Sequence, residues 1–449
     1  MKRIKQKIVL KYNNTISLFS NNINQLMASE GFVRYFKNTG WLFVGKMSGM
    51  VASFFVGAYV ARYLGPEQYG LLSYVVSFVG LFAVFANLGI DSILSRELIK
   101  NPEKRDTLLG SGFFIKIIGA VLAITLIIIT LLFIKVDYLT SILILLLSSS
   151  FVLYALGVID IYFQANVWAQ KTVKIQIFSL IITNILKLIF IYYKFSVVWF
   201  LIIYLLNIVI LIVGLTLTYK KMGLYISKWK FDYSIIKMLI KNSWPLIFSG
   251  IAISIYMQID QIMIKNMIGN VANGIYSVAV KISEVWYFIP GIICTSLFPA
   301  IMNAKKTDPL VYEKRLTLLY SLMIYLSVLI AIIISLFANI IISNLFGSDY
   351  LGSINVLRIH IWAGVGVFLG YAMSQYLIAE NYTKIFLSVT LLGAISNVLL
   401  NIILIPKYGI IGSAWATLFA YSIATFSIVF FKKSRRQILL MFKSLNIFK

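Results

Sequence analysis

The 449-residue chain contains one cysteine, Cys294, and one histidine, His360. A single thiol excludes an internal disulfide and a cysteine-ligated metal centre. A single imidazole argues against a histidine-based metal or catalytic site. No G-x-x-x-x-G-K-[ST] loop occurs, so ATP hydrolysis by this chain is not expected. Acids are scarce as well: 15 aspartates and glutamates face 40 lysines and arginines, for a net charge of +25. That balance alone would suit nucleic acid. What the chain has in excess argues otherwise. It is 60% hydrophobic, against roughly 45–50% for a soluble domain, and its mean hydropathy is +0.91.

A helix needs about 20 apolar residues to cross a bilayer. Twelve such runs are present, at 41–64, 71–94, 112–134, 140–163, 177–193, 197–219, 245–268, 274–298, 316–337, 356–378, 385–404 and 410–431. The fifth is short and lies close to the sixth. The fold class expected is an all-α integral membrane protein. Before the first run lies a long polar, basic stretch. That run is too long for a signal-peptide core, so no cleaved signal is expected. The segment from Ile23 to Lys37 mixes apolar and charged residues and reads as an interfacial helix or as an ordinary tail.

The basic residues decide the orientation. Thirty fall in the two tails and the even-numbered connections, and five (Arg62, Lys135, Lys194, Lys265 and Lys407) in the odd-numbered ones. This bias places both termini in the cytoplasm. It also accounts for most of the net charge without nucleic acid, leaving anionic membrane lipids as the partner of the basic loops. The expected division is a tail over 1–40, six helices over 41–219, a basic linker over 220–244, six helices over 245–431 and a basic tail over 432–449.

One loop is written twice. "YLGPEQYGLLSY" (Tyr63–Tyr74) and "MIGNVANGIYSV" (Met267–Val278) are offset by 204 residues, with Gly65 and Gly70 falling on Gly269 and Gly274. "KNTGW" at Lys37 and "KNSWP" at Lys241 keep the same offset. Six spans separate the copies, so the repeats are parallel and relate two lobes by an axis along the membrane normal. The glycines are expected to make a tight turn and start the next helix. Between two such lobes a central cavity with a midplane site is expected.

"FVGAYVARYLGPEQYGLLSYVVSFVGLF" followed by "GIDSILSRELIK" resembles the start of the bacterial polysaccharide flippase family, within the multidrug, oligosaccharidyl-lipid and polysaccharide exporter superfamily. "NIILIPKYGIIGSAWATLFAY" (Asn401–Tyr421) resembles that family's eleventh-to-twelfth span signature. The resemblance implies twelve spans in two lobes that alternate between inward-open and outward-open states. It implies movement of a polyprenyl-diphosphate-linked oligosaccharide from the inner to the outer leaflet, beside a polysaccharide polymerase and glycosyltransferases. No cofactor and no catalytic residue are implied. The related peptidoglycan-precursor flippases commonly have extra spans, and drug–cation antiporters share the superfamily. A multispan polymerase or glycosyltransferase should instead show a large outer loop or a soluble domain with clustered acids, and this sequence has neither.

A charge at a helix centre costs at least about 2.5–3.5 kcal/mol, so the charges inside spans are the candidate site. Lys187, one turn from Asn184, either lines a wet lumen or snorkels or pairs with a carboxylate. Lys281 and Glu284 share a helix face, as a neutral pair or as lumen groups. Asp260 and Glu284 are the candidate ion-coupling carboxylates. Lys46 and Lys116, near the basic face, either snorkel or join the substrate site. Arg62 and Arg358 are placed near the opposite surface, as guards of the exit. Asn397 and Asn401 read as interhelical hydrogen-bonding groups, and Asp91 with Arg96, and Asp160, as boundary groups or interlobe latches. Basic groups outnumber acids, as a diphosphate would require, whereas an extruder of cations needs the reverse.

The orientation is testable. Cysteine introduced at Glu67 or Asn270 is expected to react with an impermeant external thiol reagent, and cysteine at Asn101 or Lys221 is not. The opposite pattern refutes the topology.

Overall fold

The protein is described from a computed structural model covering residues 30–446. Among these residues every regular element is helical. The elements are α1 (Glu30–Asn87), α2 (Asp91–Lys100), α3 (Arg105–Phe133), α4 (Tyr138–Ala165, broken by a tight turn at Ala155–Gly157), α5 (Ala169–Tyr192), α6 (Val197–Lys221), α7 (Tyr233–Met267), α8 (Asn270–Glu284), α9 (Phe288–Thr307), α10 (Pro309–Leu345), α11 (Ser353–Ala379), α12 (Thr383–Phe426) and α13 (Arg436–Lys443).

Ten helical stretches among the described residues are long and apolar enough to cross a membrane. Two of them fold back and cross twice. In α1 the break is at Gly65, φ 68°, with Pro66 starting the second arm, where its missing N–H costs nothing. The arms lie side by side, because Lys281 Nζ touches both: it is 3.3 Å from Tyr69 Oη and rests against Gly57. In α12 the break is at Gly409, φ 59°, and Asp260 hydrogen-bonds Asn401 on one arm and Thr417 on the other. Twelve crossings result, six in each lobe. The first lobe holds α1–α6 and the second α7–α12, with α8 and α9 forming one crossing.

The interfacial helix expected from Ile23 lies outside the described residues as far as residue 29. From Glu30 onward the chain is already part of α1. The connection between the lobes is shorter than 220–244. It ends at Asp232, whose carboxylate caps α7 by accepting from Ser234 N at 2.7 Å. The Ser234 hydrogen bonds hold that carboxyl below its ordinary range. On the way, Lys230 N donates to Asp106 O (3.1 Å), tying the connection to the first lobe. The basic tail contains a helix, α13, docked on α10. Tyr320 Oη donates to Gln437 Oε1 (3.0 Å), Ser321 Oγ donates to Ser444 O (2.8 Å), and Arg436 pairs with Glu313 (2.6 Å).

The two copies of the repeated loop meet. Asn273 Nδ2 donates to Gly70 O at 2.8 Å in a buried contact. A Cβ on Gly70 would overlap the backbone of Asn270 and Gly274, and one on Gly274 would overlap that of Pro66. The duplicated glycines therefore do two jobs. Gly65 and Gly269 supply positive φ, 68° and 125°, as the turn reading expected. Gly70 and Gly274 instead let two backbones touch across the lobe boundary. Tyr350 Oη, donating to Ala61 O at 2.7 Å, closes the same seam.

Gly70→Leu is expected to force the lobes apart at this face. Electron paramagnetic resonance distances between spin labels at Glu67 and Val271, on a Cys294→Ser background, should lengthen. Gly57→Ala is expected to leave that distance unchanged.

Candidate functional site

Lys281 is the best-defined cation in the spans. It projects from α8 across the lobe boundary onto α1. Its ammonium donates to Tyr69 Oη (3.3 Å) and lies 5.7 Å from that ring's centre. The position of a Cβ on Gly57 would be 2.8 Å from Nζ, so the glycine makes room for the charge. No ion pair joins Lys281 to Glu284, and among the described residues no acid pairs with it. The neutral-pair reading is thus not realised. Lys281 and Val285 form one wall of a cavity of about 450 Å³. Gly45, Gly49 and Ser53 of α1 form another, with Gln176 and Ser179 of α5 and Asn207 of α6 behind. No described residue of this lining is acidic.

Lys187 is half-buried on α5. Its ammonium lies 5.5 Å from the Tyr204 ring centre, and it is within electrostatic reach of Lys281, which in turn feels Tyr204. Tyr204 is the ring against Lys187, and Lys187 is not on the wall of the 450 Å³ cavity. Asn184 is buried, and its Oδ1 has no partner.

Three other expected substrate-binding groups, Lys116, Arg358 and Arg62, lie elsewhere. Lys116 is buried but does not snorkel. It pairs with Asp91 at 2.7 Å and donates to Asn87 Oδ1 at 3.3 Å, because α2 starts beside α3 and returns an acid to it. Asp91, Lys116 and Asp160 share a separate polar cavity inside the first lobe. Asp160 accepts from Thr172 (2.7 Å) and Gln164 (2.8 Å), and Arg96 pairs with its neighbour Glu97, so none of these is an interlobe latch. Arg358 is exposed and its Nε donates to Ser335 O on α10 (3.4 Å), away from the cavity. Arg62 is exposed and reaches Asn344 O (3.5 Å) beside Gly347, bridging the lobes at the glycine seam. Lys46 is helical, and its side chain lies outside the described residues.

The two candidate ion-coupling carboxylates lie in the second lobe. Asp260 is buried on α7. Its carboxylate accepts from Tyr276 Oη (2.9 Å), Asn401 Nδ2 (2.6 Å) and Thr417 Oγ1. Around it Asn401 Oδ1, Asn397 Nδ2 and Ser413 Oγ are buried without partners. Behind, His360 packs edge-on against Tyr276 at 6.0 Å, with Nδ1 unpartnered. Unpaired buried polar atoms each cost about 1–3 kcal/mol. A carboxylate beside unpartnered neutral oxygens, Asn401 Oδ1 and Ser413 Oγ, offers atoms of the kind that ligate hard cations. Glu284 is half-buried and faces this lobe, within electrostatic reach of Asp260, Tyr287 and Tyr421.

Sequence reading singled out Asp260, Lys281 and Asn401, but not Tyr69, Tyr204, Tyr276 or Thr417. A tyrosine or threonine in a span costs little, so nothing marks it until the fold puts a charge against it.

Known proteins bear on this arrangement. A solved structure of the lipid II flippase MurJ, in an inward closed conformation, superposes with a TM-score of 0.67 at 18% identity, covering 91% of each chain. An outward-facing transporter of the multidrug resistance MATE family superposes at 0.62 and 17% identity, covering 93% of this chain and 98% of that one. These identities establish a shared fold. The capsular polysaccharide biosynthesis protein CapF of Staphylococcus aureus is 25% identical over 427 residues, 88% of this chain and 99% of CapF. The uncharacterized membrane protein MJ1375 of Methanocaldococcus jannaschii is 28% identical over 245 residues, 49% of this chain and 55% of its own length. The model of one family, described as polysaccharide biosynthesis protein, matches residues 35–305. With more than half its length matched, and with two six-span lobes around a cation-bearing cavity, this multi-pass membrane chain belongs to the polysaccharide biosynthesis protein family.

Proposed function

We propose that the protein is a flippase in the bacterial cytoplasmic membrane, with both termini in the cytoplasm, that carries a polyprenyl-diphosphate-linked oligosaccharide from the inner to the outer leaflet. The observation that carries this reading is Lys281, a cation without an acidic partner among the described residues, on the wall of a cavity between two lobes. An uncompensated charge there is expensive, and a diphosphate would offset it through charge-assisted hydrogen bonds. Lys281 is the primary diphosphate ligand in this reading, and Lys187 the second, reached around Tyr204. The sugars and diphosphate cross in the polar cleft while the prenyl chain stays in lipid, since a diphosphate stripped of water without partners would be prohibitively costly.

Asp260, with Asn401 and Thr417, is the proposed coupling site for a monovalent cation or a proton. The drug–cation antiporter reading requires an acidic cavity wall, and the lysine-bearing wall disfavours it. Against the peptidoglycan-precursor reading, the CapF relationship favours a surface-polysaccharide unit.

Lys281→Gln in proteoliposomes is expected to slow translocation about tenfold or more, from loss of a charged contact worth about 1.5–3 kcal/mol. Lys281→Arg and Lys187→Arg should be milder than the glutamine variants. Normal flipping by Lys281→Gln would show the lysine to be structural.

The membrane potential supplies a second check. It is worth about 2.3 kcal/mol per charge per 100 mV. Outward movement of a net anion should accelerate when the interior is made negative. Asp260→Asn should change that voltage response if a cation travels with the substrate, and leave it unchanged if Asp260 serves only the fold.

A further inference from the structure

A second cavity, of about 290 Å³, lies wholly within the second lobe, between α7, α11 and α12 and the tight turn at Val285–Tyr287. No charged side chain among the described residues lines it. Four tyrosines do: Tyr256, Tyr287, Tyr371 and Tyr421. The Tyr256 and Tyr421 rings meet edge-on at 5.2 Å. Gly366 on α11 and Gly393 on α12 let the helices pack closely at the slot's edge, against Tyr421 and Ala424, and Gly370, one turn from Gly366, opens the space. A Cβ on Gly370 would meet only Thr425 Oγ1, at 3.8 Å, so this glycine serves room rather than packing.

The hydroxyls of this slot are arranged for a particular ligand. Ser374, Thr390 and Thr425 each spend their proton on a backbone carbonyl, at 2.7, 2.7 and 3.0 Å. Their oxygens are left as acceptors. Tyr287, 9% exposed, has Ser283 nearby but no partner in hydrogen-bonding geometry for its Oη. Hydrocarbon would leave that hydroxyl unpaired, and a charged group would find no counterion. A flat molecule with apolar faces and a rim of hydroxyl donors satisfies both the rings and the acceptors. The volume is at the lower end of ligand pockets, which fits one ring.

We propose that this slot is a subsite for a single uncharged saccharide ring, the sugar attached to the diphosphate. The inference rests on the flippase reading above and adds the substrate class: a neutral, not an acidic, first sugar. Tyr287 follows Lys281 by six residues on the same crossing.

The test uses the purified full chain in nanodiscs and two sets of probes. One is farnesyl diphosphate; the other is the same diphosphate carrying glucose, N-acetylglucosamine, rhamnose or glucuronic acid. Binding is measured by calorimetry for the wild type, Gly370→Leu, Tyr287→Phe and Lys281→Gln. The best neutral glycoside should bind at least tenfold more tightly than the glucuronide. Gly370→Leu should weaken that neutral glycoside about tenfold or more, and Tyr287→Phe, which changes no volume, a few-fold. Both variants should leave farnesyl diphosphate unaffected, while Lys281→Gln weakens every probe. Tightest binding of the glucuronide overturns the proposal. So does an equal loss for farnesyl diphosphate and its glycosides in Gly370→Leu, which would make the slot a prenyl site, or no loss for either. Failure of the wild type to bind any of the diphosphates would instead sink the flippase reading, and the subsite with it.

Discussion

The contact between Gly70 and Gly274 is where the two halves of the molecule touch as bare backbone. With no side chain between them, the lobes close to the distance that lets Asn273 donate to the Gly70 carbonyl and Tyr350 to that of Ala61. The cavity follows from this contact. Toward the other face, α1 runs past Gly49 and Gly45 with a void, not a packed helix, between it and Lys281. Small residues at helix interfaces in membranes permit close van der Waals packing where lipid supplies no hydrophobic drive. A contact of that kind holds firmly by shape yet buries no ion pair, so it can separate without stranding a charge.

Each lobe holds charges of both signs in its spans. The second lobe keeps its acid, Asp260, inside a shell of hydroxyl and amide donors. Its cation, Lys281, it sends across the boundary. In the first lobe Lys116 is neutralised by Asp91, and Lys187 lies against the Tyr204 ring.

Much of the architecture was legible in the sequence. Apolar length gave the crossings, and the 204-residue offset gave the two lobes. Within α1 and α12 the two crossings meet at a single positive-φ glycine, Gly65 and Gly409. The candidate site was legible only in part. Asp260 and Lys281 stand out because a charge in an apolar run needs a reason. Lys116 looked equally exceptional, but its partner, Asp91, belongs to a helix start that linear reading assigned to a span end. Tyr276, Thr417 and Tyr204 were invisible, because neutral polar side chains in spans commonly back-bond to their own helix. Thr183 and Thr390 do so here, and nothing in the sequence separates those from Thr417. The docked tail helix was missed because its basic residues drew attention away from Leu440 and Met441, both 3% exposed.

Lys281 belongs to one lobe, while Tyr69 and Gly57, which receive its ammonium, belong to the other. Any anion that takes over the donors of this lysine takes them from a contact that joins the halves. Occupancy and lobe separation therefore share a coupling free energy, and the coupling is reciprocal. If binding loosens the seam, loosening the seam must tighten binding by the same factor. In the proposed transport cycle a single side chain then ties the thermodynamics of the ligand to the separation of the lobes, with no relay of intermediate residues between them.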